Sequence, residues 1–337
     1  MSPIARRHSH GTATAPFRRL LAAGTAALLV FSACDDGQDP SLLAGPEITP
    51  AFARGGNGGN NGRILFLSDR QNPGSEAWDL YSMNPDGTAV TRLTSDPAAE
   101  GQAAWSPDGK RIAFSSERDD PSGEIYVANA DGTGVTRITF SPGYDLQPRF
   151  SKDGKRIVFT TSRFAADPAS PAFAEFEIMT MNVDGTGVTR LTSDGAGDLD
   201  PDWSPDGKKI VFMSNRADPS GPIFDIYVMN ADGTGVTQLT FGGPMNRTPA
   251  WAPGGKQIVF ASEDGIFVMN ADGTQLTAIA TGNLSEALPL WSDDGKYIVF
   301  NKRVGADRDI FVMNADGSGE TRLTQTPSDD LAVAWRR

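Results

Sequence analysis

Trp203-Ser-Pro-Asp-Gly-Lys-Lys-Ile-Val-Phe-Met-Ser-Asn-Arg216 opens a unit that closes on Asp225-Ile-Tyr-Val-Met-Asn-Ala-Asp-Gly-Thr-Gly-Val-Thr-Gln-Leu-Thr240. The unit returns, with edits, along most of the chain. Its hairpin aspartate recurs at Asp86, Asp131, Asp184, Asp232, Asp272 and Asp316, with spacings of 45, 53, 48, 40 and 44 residues. Its opening aromatic recurs at Trp105, Phe150, Trp203, Trp251, Trp291 and Trp335 with the same five spacings. Two landmarks that keep one rhythm mark a repeat architecture.

Each unit reads as four short strands. The first ends at the aromatic. Ser-Pro-Asp-Gly then turns the chain, because proline presets φ and glycine accepts the positive φ that other residues resist. Ile210-Val-Phe-Met-Ser214 is the apolar second strand and Asp225-Ile-Tyr-Val-Met-Asn230 the third. Asn-Ala-Asp-Gly-Thr is a hairpin signal, and Val-Thr-Gln-Leu-Thr240 is the fourth strand. Four antiparallel strands in roughly 40–50 residues, repeated, predict an all-β fold of propeller blades.

Six hairpins predict six blades. The first unit has only Gly and Asn before Arg63-Ile-Leu-Phe-Leu67, while the chain ends on a lone opening strand at Trp335. The C-terminal strand is therefore expected to complete blade one and close a six-bladed β-propeller over residues 63–337. Closure of that kind leaves no free sheet edge at the seam.

The N-terminal residues read differently. Arg18 and Arg19 precede an apolar run, Leu20–Phe31, that is short for a membrane span. Ser32-Ala33-Cys34 then resembles a bacterial lipobox, so residues 1–33 are expected to be a lipoprotein signal peptide with Cys34 as the lipid attachment site. Ordinary signal cleavage is the alternative. Residues 34–62, ending in a Gly/Asn-rich run, read as a flexible tether. This organisation implies an extracytoplasmic, periplasmic location in a bacterial envelope, with the membrane engaged only through the lipid anchor.

The whole chain of 337 residues carries a formal charge of −12. Residues 1–33 hold four Arg and no acid, which leaves 26 basic against 42 acidic residues, or −16, in the remainder. Such a charge argues against nucleic acid as a partner and suits a basic protein or a cation.

The only histidines are His8 and His10, and the only cysteine is Cys34. Residues 35–337 thus cannot assemble a Ser-His-Asp or Cys-His nucleophile, nor a zinc site built on His or Cys. No catalytic residue is assigned, and no cofactor is expected, although calcium is compatible with the carboxylates described next.

Counting five residues back from each opening aromatic gives Glu100, Asp145, Asp198, Asn246, Glu286 and Asp330, and Asp200 lies close by. The first strand of a propeller blade lines the channel, so these residues are expected to ring one mouth. They are candidate partner- or cation-binding residues. A structural reading competes: Arg70, Arg118, Arg163, Arg216 and Arg303 end the second strands near the same mouth and could pair with the acids. Blade five replaces both members, with Asn246 in the acid slot and Asp264 in the Arg slot, as pairing within a blade would require. The aromatic series is expected to be inter-blade core, and the hairpin aspartates turn residues. Blade three carries a long insertion, Phe164 to Phe176, on the same mouth, and Trp78 sits in the equivalent loop of blade one.

The motifs W-S-P-D-G-K-x-I-x-F and D-I-Y-V-M-N-A-D-G-T-x-x-T-R-L-T resemble the repeats of the TolB-like six-bladed β-propeller family (WD40-like PD40 repeats) over residues 63–335. The pattern departs locally at Phe150-Ser-Lys-Asp-Gly, Trp251-Ala-Pro-Gly-Gly and Trp291-Ser-Asp-Asp-Gly. The resemblance implies an envelope propeller that binds protein, here in a lipoprotein form in which a tether, not an α/β domain, precedes blade one. It also extends to oligogalacturonate lyases, which implies an alternative: a carbohydrate-active lyase or hydrolase-like propeller using channel carboxylates, with calcium. The favoured expectation is a non-catalytic, membrane-anchored propeller that binds a protein partner through one mouth of its channel.

Overall fold

The computed structural model describes residues 62–336, apart from 76, 283 and 285. The expected export signal, Cys34 and the tether through residue 61 lie outside the described residues. The described residues form six sheets of four strands each, the six-bladed propeller that the repeat predicts. The inner strands are Glu100–Trp105, Asp145–Phe150, Asp198–Trp203, Asn246–Trp251, Leu290–Trp291 and Asp330–Arg336. Each touches the inner strands on either side, and Asp330–Arg336 touches Glu100–Trp105, which closes the ring. Blade one is completed as expected, with Ile64 opposite Trp335 and Ser68 opposite Asp330 in an antiparallel pair.

The second strands are the core. In Lys209–Ser214 only the lysine is exposed and the other five residues are buried. A strand covered on both faces by neighbouring blades reads as a continuous apolar run, which is why alternation is absent here. Its phenylalanine stacks on an aromatic of the third strand: Phe114 on Tyr126 at 5.9 Å, Phe212 on Tyr227 at 5.9 Å and Phe260 on Phe267 at 5.7 Å. Blade three instead places Met179 opposite Phe159.

The opening aromatics wedge between blades. The Trp105 indole N–H donates to the Arg63 carbonyl at 3.2 Å, the Arg156 guanidinium lies 4.7 Å over Trp203, and Tyr297 stacks on Trp335 at 6.3 Å. In each case the partner opens the second strand of the preceding blade. The hairpins join blades as well. Asp131 accepts the Thr133 N–H at 3.0 Å and its hydroxyl at 2.6 Å, and the other five hairpins repeat this turn. The glycine that follows docks on the preceding blade. A Cβ at Gly87 (φ 80°) would sit 2.6 Å from the Leu323 carbonyl oxygen, and one at Gly233 (φ 85°) 2.6 Å from that of Leu191. Both the positive φ and the close approach demand glycine.

Candidate functional site

The channel has two different mouths. The inner strands end at the turn mouth, which carries the Ser-Pro-Asp-Gly turns and the hairpins. They begin at the loop mouth, where the second and third strands are joined and where each blade passes to the next.

The candidate carboxylates start the inner strands at the loop mouth, but they do not form an open ring around the channel. Glu100, Asp145, Asp198 and Asp330 are fully buried. Arg118 reaches Glu100 at 2.6 Å, Arg163 reaches Asp145 at 2.7 Å, Arg216 reaches Asp198 at 2.8 Å and Arg70 reaches Asp330 at 2.9 Å. Each arginine is held in place. Arg118 Nε donates to Ser116 at 3.0 Å, and its guanidinium lies 5.3 Å over Phe114 and 5.0 Å over Tyr126. Burial pushes the Glu100, Asp145 and Asp198 carboxyls upward, and the paired arginines oppose it. The pairing within each blade is thus the structural one that blade five's double departure suggests.

Glu286 differs. Its side chain is 41% exposed, and it accepts from Arg308 at 2.6 Å and Arg303 at 3.2 Å; the arginines hold its carboxyl below the usual range despite burial. Asn246 of blade five donates instead to Asp225 and Thr240, both at 3.3 Å.

A second layer of buried carboxylates, which the sequence reading missed, opens the third strands. Glu124 accepts from Arg137 at 2.6 Å and from the Thr139 hydroxyl, and Thr139 in turn accepts the Ile125 N–H at 2.8 Å. Glu177 with Arg190 and Thr192, and Asp309 with Arg322 and Thr324, repeat the arrangement. Its signal is an acid thirteen residues before Arg and fifteen before Thr.

Side chains two residues further along the inner strand face the channel. A bulge makes this possible: the inner-strand register shifts between Leu146 and Arg149, between Leu199 and Asp202, and between Arg247 and Ala250. Gln147, Asp200 and Thr248 adopt φ of 58°, 50° and 51° there. Asp200 accepts from Gln102 at 3.5 Å, and its N–H donates to Gln147 at 3.0 Å. Burial pushes its carboxyl up to about 7 against the pull of Arg149. Arg149 donates to the Ala103 carbonyl at 3.1 Å and to Gln102 at 3.4 Å. The constriction encloses only about 20 Å³. Beyond it, at the turn mouth, the six opening aromatics line a wider cavity of about 230 Å³.

Among the described residues, no group of three or more His, Cys, Asp or Glu is placed to hold a metal ion. The open carboxylate ring with which calcium would be compatible is therefore not formed among the described residues. The physical reason is that each ring acid turns to its own arginine.

The loop mouth carries the exposed aromatic side chains: Phe140 is 75% exposed, Phe241 72% and Phe164 48%, with Ile223 at 48%, whereas the turn-mouth hairpins expose only aliphatic ones, Val90, Val188, Val236 and Leu276. In the 164–176 insertion, Glu175 accepts the N–H groups of Ala166 and Ala172 at 3.0 and 2.7 Å, Phe176 is buried, and Arg190 lies 4.1 Å over Phe164. Trp78, by contrast, is buried in the apolar core beside Leu331 and Leu288.

Known proteins share this architecture. Residues 169–336 match the family model of the TolB beta propeller domain, and residues 75–180 that of the Tricorn protease N-terminal beta propeller domain. The structure of TolB from Acinetobacter baumannii is similar at 24% identity and a TM-score of 0.69, covering 85% of this chain and 69% of that one. A protein from Agrobacterium tumefaciens described as a TolB is 20% identical, with a TM-score of 0.60, over 81% of this chain and 91% of its own. An oligogalacturonate lyase solved with manganese is 14% identical, with a TM-score of 0.50, over 78% of this chain and 74% of that one. With the repeat, the closed ring of six four-stranded blades and the family match in agreement, the chain belongs to the TolB-like six-bladed β-propeller family.

Proposed function

We propose that this chain is a non-catalytic, lipid-anchored propeller of the bacterial envelope that binds a protein partner through its loop mouth. In this reading residues 1–33 are the signal, Cys34 carries the lipid, and residues 34–62 tether the propeller of residues 63–337. The observation that carries it is the placement of Phe140 and Phe241, 75% and 72% exposed, on one mouth together with Phe164 and Ile223. Of large apolar side chains the opposite mouth exposes only aliphatic ones, and aromatics are among the residues enriched at binding surfaces. The loops around them add exposed acids at Asp119, Asp167, Asp194, Asp218, Glu263 and Asp264, which favour a basic partner.

Of the candidate carboxylates, the half-exposed Glu286 is assigned to the partner contact, and Asp200, buried in the narrow channel, to the constriction. Glu100, Asp145, Asp198 and Asp330 are assigned to holding the mouth together. Charge reversal at the fully buried Asp198 would then damage the fold and tell nothing about binding. The test is capture of a partner from envelope extract by the full chain. Phe140→Ser combined with Phe241→Ser is expected to weaken capture at least about tenfold, since exposed aromatics dominate such contacts. Undiminished capture would overturn the assignment. The carbohydrate-active alternative is not carried further: Asp200 is buried in the constriction, and Asp202, part-exposed on the turn-mouth cavity, is engaged by the Trp251 N–H and lies close to Arg149, so the two offer no pair of free carboxylates facing a shared space.

A further inference from the structure

Blade five breaks the repeat twice at the loop mouth. Its acid and arginine slots are vacated, and the next position holds Arg247 where sibling blades hold Leu146, Leu199 and Leu331. Those leucines are buried in apolar clusters. Arg247 is as buried as they are, at 3% exposure, yet its Nε and Nη1 have no hydrogen-bond partner. Among the described residues, no carboxylate lies within ion-pair distance of it. Asp200 of blade four, Glu263 of blade five and Glu286 of blade six act on it only from further off, which locates the guanidinium among three blades at this mouth.

A buried guanidinium without a partner is costly, by several kcal/mol, and leucine in the same slot would avoid that cost. Packing therefore does not explain Arg247. Each of its free donors makes a planar fork with the neighbouring Nη2, and such a fork fits one chemical group best, a carboxylate held by two parallel N–H bonds. A cavity of about 100 Å³ lies at the same mouth, walled by Glu286, one of the carboxylates that act on Arg247, although Arg247 itself is not among its lining residues. That cavity is lined as well by Arg303, Arg308 and Asn301, and the Asn301 Nδ2 is likewise buried without a partner.

We propose that Arg247 is a receptor for a single carboxylate entering the loop mouth between blades five and six. The carboxylate comes either from an acidic side chain or C-terminus of the bound partner, which rests on the partner-binding reading above, or from a small free carboxylate. Arg303 and Arg308 nearby are already paired with Glu286, so an unpaired socket at Arg247 would fix the register of a partner at this mouth.

The experiment titrates the full chain with sodium succinate and, separately, with an acidic peptide and its Asp→Asn counterpart. The Arg247 side-chain N–H resonance and calorimetry are followed together. Wild type is expected to bind the acidic peptide, succinate or both, with a shift of that resonance, and to bind the neutral peptide at least about tenfold more weakly. Arg247→Leu is expected to abolish the binding while the melting temperature holds or rises. Binding by succinate alone keeps the socket and assigns it to a small ligand; binding by the acidic peptide assigns it to a partner. Equal binding by wild type and Arg247→Leu, or none by wild type, overturns the proposal, as does a lowered melting temperature in Arg247→Leu. None of these results bears on capture through Phe140 and Phe241, so the two readings fail separately.

Discussion

The two mouths of this ring use the same repeat in opposite ways. At the turn mouth the blades are built alike. An aromatic wedges against its neighbour, each hairpin glycine docks on the blade before it, and in four blades a serine, at Ser106, Ser151, Ser204 and Ser292, locks the turn. At the loop mouth a regular set of buried ion pairs holds the rim, and the connections built on it diverge in length, charge and exposure. A repeat that secures one mouth by backbone and turn chemistry leaves the other mouth free to vary. Binding surfaces concentrate on loops held by a rigid scaffold for the same reason.

Substitutions can break this contrast. The largest effect is expected at the turn mouth, where Trp203→Ala should destabilise by about 3–5 kcal/mol in denaturant titration, as truncation of a buried aromatic does. A loss below 1 kcal/mol would mean that the wedge does not hold the blades together. At the loop mouth Arg118→Ala strands the buried Glu100 and should cost about 1.5–3 kcal/mol, with Glu100→Gln in the same chain recovering part of it. If the double variant is no better than the single, the two residues do not act as a pair.

A third effect depends on pH. Burial raises the Asp200 carboxyl to about 7, so between about pH 4 and 7 the folded chain holds a proton that the unfolded chain has released. Stability is then greatest below that window and falls as pH rises through it. Melting temperatures should be lower at pH 8 than at pH 5, and Asp200→Asn should flatten that slope and raise the value at pH 8. Glu100, Glu124 and Asp198, which burial also raises, add to the same slope, so Asp200→Asn should remove only its own share, and a slope unchanged in that variant would exclude Asp200 as a contributor. The smallest effect is expected in the exposed hairpins, where Asp131→Ala removes two turn hydrogen bonds and should cost about 0.5–1.5 kcal/mol.

What the sequence made legible follows the same division. Blade number, strand order and closure through Trp335 could be read because two landmarks, the aromatic and the hairpin aspartate, repeat with identical spacings. The ion pairs were partly legible, through the joint departure of Asn246 and Asp264. The direction of the ring side chains was not. A bulge at Gln147, Asp200 and Thr248 puts the channel-facing position two residues beyond the acids, and no spacing announces it. The second carboxylate layer was missed because Glu124 and Thr139 are fifteen residues apart and meet only across the paired strands. Arg247 reads as one arginine among many until burial and missing partners single it out. Gly87 and Gly233 read as turn residues, and their second role depends on a carbonyl of the preceding blade.

The central claim is that binding belongs to the loop mouth. The most direct test compares partner capture by three full-length chains: wild type, Phe140→Ser with Phe241→Ser at the loop mouth, and Lys110→Glu with Lys152→Glu at the turn mouth. All four positions are exposed, so stability should stay within about 0.5 kcal/mol of wild type in each. The account expects capture to fall at least about tenfold in the loop-mouth pair and to persist in the turn-mouth pair. Capture lost only in the turn-mouth pair, or equal in all three chains, would contradict it.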